Sequence, residues 1–278
     1  MPANSAPTVE PLDIVRELAA LEHRGATTDG ERRAAEILEE RLKQLGATVD
    51  RQPFLAPKTY ITEVWWLVGG MLAGLLLLPV VPWPAFLLVS AAAGLSLHYF
   101  DWRASPISLL PPRKHSQNII ARFPEQGQAK KRVVLMAHYD SAPVSMLYVP
   151  SMVKGFRQSL RLSLGLMVVA VMVALLYALD VAQPLAGWLR WPLAVYFLGQ
   201  GAMASIDYLR FGFTNGAADN ATGAAAAIAT AGRLWHNPIP GWKVEVVLTG
   251  AEEVNLKGSR AYYLANRHKL DPAHSYVL

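Results

Sequence analysis

Two hydrophobic patterns alternate along this chain. In the first, apolar positions recur at helical or strand spacing with polar residues between them. Ile14, Leu18 and Leu21 share one face of a helix over 11–24. Thr28 with Glu31 three residues on forms a capping box that opens a second helix. Ala34, Ala35, Leu38, Leu42 and Leu45 make the stripe of that helix and Gly46 its stop. Residues 47–54 alternate as a strand, with Pro53 and Pro57 expected to end it. Residues 116–123 predict a strand, 125–130 a polar turn, and 132–137 a strongly apolar strand, central in a sheet. Residues 224–234 read as a close-packing helix, 242–248 as a strand, 258–268 as a helix, and 275–278 as the opening of one more strand. This order predicts an α/β fold, a three-layer sandwich with a mostly parallel central sheet.

The second pattern is one of long uncharged runs. No Asp, Glu, Lys or Arg occurs from Val64 to Phe100, and Pro79, Pro82 and Pro84 divide that stretch in two. Each half approaches the ~20 residues that a bilayer crossing needs. We read 64–81 and 84–100 as a transmembrane hairpin, with Trp65, Trp66, Trp83, Tyr99 and Trp102 as interfacial aromatics. Residues 162–182 and 188–206 form a second hairpin, broken around Gln183, Pro184 and Gly187. A buried helix pair in a soluble core is the competing explanation. The α/β body is thus expected in three pieces, 1–60, 103–158 and 209–278, interrupted by hairpins at 61–102 and 159–208.

Composition agrees with the membrane reading: 53% of residues are hydrophobic, 17% are charged, and mean hydropathy is +0.22. A net charge of +5 without a Lys/Arg block argues against a nucleic-acid partner, and the basic residues gather beside the hydrophobic runs. With no cysteine, a metal here must be held by His and carboxylates. The first residues have neither the basic nor the apolar region of a secretory signal.

Candidate chemistry gathers where strands end. Val244, Val246, Val247 and Leu248 run into Thr249-Gly250-Ala251-Glu252-Glu253, which places two adjacent carboxylates at the carboxyl end of a strand, where open α/β sheets hold their sites. Adjacent residues point in different directions, so one carboxylate can bind a metal while its neighbour serves as a general base. The apolar strand over 132–137 ends in His138-Tyr139-Asp140, and Asp219 sits in Gly-Ala-Ala-Asp-Asn-Ala-Thr-Gly. Each has a plainer explanation alone: a core histidine, a helix N-cap, a solvated acidic turn.

Together and in this order, Met-Ala-His138-Tyr-Asp140-Ser, Gly-Ala-Ala-Asp219-Asn-Ala-Thr-Gly223 and Thr-Gly-Ala-Glu252-Glu253-Val-Asn-Leu-Lys-Gly258-Ser resemble the co-catalytic zinc aminopeptidases and carboxypeptidases of metallopeptidase family twenty-eight. The resemblance covers 11–54, 115–145 and 211–278. It implies that His138 ligates one zinc, Asp219 bridges two, and Glu253 ligates the other. It also implies that Asp140 orients His138 and that Glu252 is the general base. Two ions roughly 3.5–4 Å apart would activate a water and polarise the scissile carbonyl of a peptide substrate. His and carboxylate ligands suit manganese or cobalt as well.

The chain departs from the family pattern in its two insertions, and in stopping before the further Asp and the final His of the family. We therefore expect a C-terminally truncated sequence, inactive alone, with His268 and His274 on the surface. The function so implied is a membrane-anchored zinc exopeptidase, an aminopeptidase. The alternative is a catalytically inactive membrane protein that keeps the peptidase-like body for binding. Both insertions must cross the bilayer an even number of times, giving four transmembrane helices. Arg51, Lys58, Arg103, Arg113, Lys114, Lys154, Arg157, Arg161 and Arg210 flank the hairpins on the body's side, against Arg190 at a tip, which puts the body on the cytoplasmic side.

Overall fold

A computed structural model describes residues 9–100, 106–124 and 129–278. Trp102, Arg103 and most of the polar turn expected from Glu125 lie outside the described residues. The chain divides into two compact units. The first comprises the described residues up to Thr59, those of Pro112–Pro143, and Phe213–Leu278. The second comprises those of Tyr60–Pro111 and Val144–Gly212.

In the first unit, helices α1 (Pro11–Ala20) and α2 (Asp29–Gln44) precede strand β1 (Thr48–Pro57). Strands β2 (Arg113–Arg122) and β3 (Lys131–His138) follow, then helix α8 (Thr222–His236), β4 (Trp242–Thr249), α9 (Lys257–Asn266) and β5 (Ser275–Val277). The α-helices between β1 and β2 and those between β3 and α8 belong to the second unit. Among the described residues the strands form one sheet in the order β1-β2-β4-β3-β5.

That sheet is mixed, which corrects the expectation of a mostly parallel one. The pairs β3/β4 and β3/β5 are parallel, whereas β1/β2 and β2/β4 are antiparallel. The cause is that β1 and β2 are two arms of a hairpin, in register from Thr48↔Arg122 to Pro57↔Arg113, so only the later strands are joined by helical crossovers. Pro53 does not end β1 but lies inside it, opposite Gln117. An edge strand tolerates proline because one side of its backbone has no partner to lose.

Side chains alternate between two covered faces. Ile119, Ala121, Leu135, Ala137, Val246 and Leu248 pack with α1, α2 and α8. On the opposite face Ile120, Val134 and Val247 pack with Tyr262 of α9. Thr28 caps α2 as its sequence predicts, accepting the N–H of Glu31 at 3.3 Å.

In the second unit, α3 (Ile61–Leu77) is followed by α4 (Pro82–Phe100), and a short α5 (Pro150–Val153) leads into α6 (Phe156–Ala178) and α7 (Gln183–Phe211). The break between α6 and α7 falls at 179–182, where Asp180 and Ala182 take positive φ. Pro184 sits in the first turn of α7, where its missing N–H costs nothing. Two of these helices, α4 and α6, are long and apolar enough to cross a membrane. Helix α3 is apolar but shorter, and α7 carries Arg190, Asp207 and Arg210.

The packing inside this unit uses small residues. Ala85, Ala92, Ala93, Ala170, Ala174, Ala186 and Ala194 are buried beside Met71, Leu75 and Phe197, and Gly74 lies close against Val89 and Ala85. Large apolar side chains face outward, with Leu87, Val168, Trp188 and Val195 all more than half exposed.

Candidate metal centre

Strands β3 and β4 run parallel with His138 opposite Thr249, so the two motif loops leave the sheet at the same level. Tyr139 donates its N–H to the Thr249 carbonyl at 3.1 Å and ties the two exits together. Beyond that point the backbone turns. Ala251, Asn255 and Leu256 adopt positive φ, an uncommon conformation for residues with a side chain.

Four consecutive N–H groups of this turn end on three buried side chains. Gly250 donates to Asn118 Oδ1 at 3.3 Å and Ala251 to Glu31 Oε1 at 2.9 Å. Glu252 donates to Asp140 Oδ1 at 3.0 Å and Glu253 to Asp140 Oδ2 at 3.1 Å. The turn is thereby fixed through its backbone, which leaves both glutamate carboxylates available. A side chain at Gly250 would meet Glu31, Ser116 and the Gln117 carbonyl at 2.7–2.8 Å, so the motif glycine is needed for this close approach.

The third motif arrives on the loop before α8. Asn220, and not Asp219, caps that helix: its Oδ1 accepts the Gly223 N–H at 2.9 Å. Asp219 is left with its side chain 78% exposed and Oδ1 3.1 Å from His138 Nε2. His138, Asp219 and Glu253 each offer one ligand atom within 4.8 Å of the others. Glu252 stands beside them, its Oε2 3.8 Å from His138 Nε2. Asp140 is fully buried, with Oδ1 3.5 Å from His138 Nδ1. His268 and His274 are exposed and outside this cluster, His274 pairing with Asp271 at 2.6 Å.

So many acidic groups in a half-buried space hold their protons tightly. Burial, then the Asp140 and Glu252 charges, push the Glu253 carboxyl up to about 8. Glu252 is raised too, chiefly by burial, although His138 opposes the rise. Burial disfavours charge on His138, but Asp140, Glu252 and Glu253 outweigh it and carry the imidazole up to about 9. The arrangement attracts a cation, and protons compete for the place.

Sequence reasoning missed two residues at this site. Glu31, read only as half of a capping box, is buried, and burial and the Asp140 charge push it up to about 8. Its Oε2 accepts from Thr27 N, while Oε1 takes Ala251 N and Ser116 Oγ. Arg24 carried no signal at all, yet it is fully buried and donates to the carbonyls of Leu18, Tyr139, Asn215 and Gly216.

Residues 118–278 match the sequence profile of the family described as peptidase family M28. No curated protein matches the chain. Among solved structures it is similar to a glutaminyl cyclase from Fimbriiglobus ruber, at 14% identity over 96% of this chain and 57% of that one, with TM-score 0.47. It is also similar to a Zn-dependent exopeptidase from Parabacteroides distasonis (14%, 95% and 58%, TM-score 0.46). A leucine aminopeptidase precursor from Bacteroides thetaiotaomicron is a third (14%, 95% and 59%, TM-score 0.44). The chain spans less than two thirds of the length of these structures.

Proposed function

Because this chain belongs to peptidase family M28, we propose that it is a membrane-anchored zinc exopeptidase, an aminopeptidase. The observation that carries this reading is the meeting of His138, Asp219 and Glu253 within 4.8 Å, with Glu252 beside them and outside the ligand set.

The residues fit a zinc centre. One imidazole nitrogen and two carboxylates are a donor set zinc accepts. Glu253 Oε1 is a buried oxygen with no hydrogen-bond partner, and His138 Nδ1 stands near Asp140 without completing a hydrogen bond. His138, Asp219 and Glu253 would hold the metal. When bound, zinc supplies Lewis acidity, lowering the pKa of a water and polarising a carbonyl.

The chain's own residues account for the proton traffic. Burial raises the proton affinity of Glu252, which suits it to take a proton from the attacking water and deliver it to the leaving amine. Asp140 holds the backbone of both glutamates and faces His138 Nδ1 at 3.5 Å, so one carboxylate lies between the imidazole and the turn that carries the base.

The second unit supports anchoring in a bilayer. Small residues at helix contacts with large apolar ones facing outward are the arrangement favoured when the solvent is lipid. We read the two insertions as four crossings, and the surplus of basic residues flanking them favours the cytoplasmic side for the peptidase body.

The test is zinc content and hydrolysis of an aminoacyl-anilide by the full-length protein. Zinc bound with turnover lost in Glu252→Gln is the expected result. Bound zinc with no hydrolysis even in the wild type would favour a binding protein that keeps the body. Cyclisation of an N-terminal glutamine in place of hydrolysis would overturn the peptidase assignment.

A further inference from the structure

Arg24 lies in the connection that leads from α1 into α2 and Glu31 in the first turn of α2, in a stretch none of the three motifs includes. A buried polar head is expensive unless its hydrogen-bonding capacity is used, and here each head is spent on a different part of the metal centre. The Arg24 guanidinium joins two segments. Nε donates to the Tyr139 carbonyl at 2.7 Å, between His138 and Asp140. Nη1 and Nη2 donate to the Asn215 and Gly216 carbonyls at 2.6 and 2.7 Å, just before Asp219. The Arg24 N–H adds a bond to Ser141 Oγ at 3.0 Å. The Glu31 carboxylate takes Ala251 N–H, next to the glutamate pair, and Ser116 Oγ, both at 2.9 Å.

Two glycines make room for these reaches. A Cβ on Gly216 would come 2.6 Å from Arg24 Nη2, and one on Gly250 would come 2.7 Å from Glu31 Oε1. Both belong to the sequence motifs that hold Asp219 and the glutamate pair. A residue that only filled space would need neither fixed fork geometry nor a glycine opposite its head.

We infer that Arg24 and Glu31 are positioning residues for the metal centre: Arg24 sets the spacing between the His138 and Asp219 segments, and Glu31 sets the turn that carries Glu252 and Glu253. This rests on the zinc reading above. Lysine at position 24 keeps the charge but cannot bridge the Tyr139, Asn215 and Gly216 carbonyls in one plane. Glutamine at position 31 keeps the shape but must turn a donor toward either Thr27 N–H or the pair Ala251 N–H and Ser116.

The experiment compares zinc affinity by chelator competition, and the visible spectrum with cobalt in place of zinc, in the full-length wild type and in Arg24→Lys, Glu31→Gln, His138→Ala and Leu38→Ala. Leu38 is a buried core residue outside the three motifs and reports general destabilisation. Arg24→Lys and Glu31→Gln should each weaken zinc binding roughly 10- to 100-fold and shift the cobalt spectrum, while Leu38→Ala lowers the melting temperature and leaves both unchanged. Equal loss of zinc in Leu38→Ala, or unchanged zinc and cobalt behaviour in both substitutions, would overturn the inference. Should Arg24→Lys fail to fold, Glu31→Gln, with one atom changed, decides. Full zinc affinity in His138→Ala would defeat the metal centre itself, a result distinct from loss in His138→Ala alone.

Discussion

Asp140 accepts the backbone N–H of Glu252 at 3.0 Å, so the carboxylate that faces His138 also sets the position of Glu252. Its other oxygen takes Glu253 N–H. Asparagine there can accept only one of the two and turns an NH2 toward the other. Asp140→Asn should cost about 1–3 kcal/mol of stability in urea unfolding and weaken zinc binding roughly 10- to 100-fold. Wild-type values for both would show that the turn holds itself.

The two adjacent glutamates should separate cleanly by substitution. Glu252→Gln is expected to lower kcat by at least about 100-fold, the lower range for loss of a general base, with zinc content nearly unchanged. Glu253→Gln and His138→Ala should lose zinc. Metal analysis beside the anilide assay reads both, and equal zinc loss at the two glutamates defeats the assignment.

Stability and metal affinity should move in opposite directions with pH. Glu31 and Glu253 rise from 4.5 to about 8, and His138 from 6.5 to about 9. The folded chain therefore binds protons more tightly than the unfolded one. Their stabilising contribution is present below about pH 4.5 for the glutamates and pH 6.5 for the histidine, and is lost as pH climbs through 8 to 9. Chelator-treated protein should melt at progressively lower temperature from pH 5 to pH 9, whereas zinc affinity rises over the same window as the ligands shed protons. A flat melting profile would show that these groups are not held in their protonated forms.

Reporter fusions address the membrane arrangement. Fusions after residue 60 or 145 should behave as cytoplasmic and one near Gly187 as external, with the protein extracted by detergent and not by carbonate. The opposite reporter pattern reverses the orientation, and carbonate extraction removes the anchoring.

Local signals in the sequence located most of the elements. The cap at Thr28, the apolar run of β4 and the proline breaks each act over a few residues and were legible for that reason. The sheet's mixed direction was less so, because β2 returns as a hairpin arm only after a long insertion. The three motifs marked His138, Asp219 and the glutamate pair, but not what holds them. Glu31 meets partners 85 and 220 residues away, and Arg24 meets partners 191 and 192 away. No periodicity within a window can report a contact of that separation.

The β1–β2 hairpin that ends at Pro57↔Arg113 makes the first helical insertion, in folding terms, an oversized turn. Closing a loop of that length before any strand contact forms is entropically unfavourable. Pairing of α3 with α4 shortens the stretch of free chain that such a loop must close. The ladder then runs unbroken from Pro57↔Arg113 to Thr48↔Arg122 on the far side of that loop. A short engineered turn joining Pro57 to Arg113 would make an equivalent start, so the insertion is separable from the sheet's register.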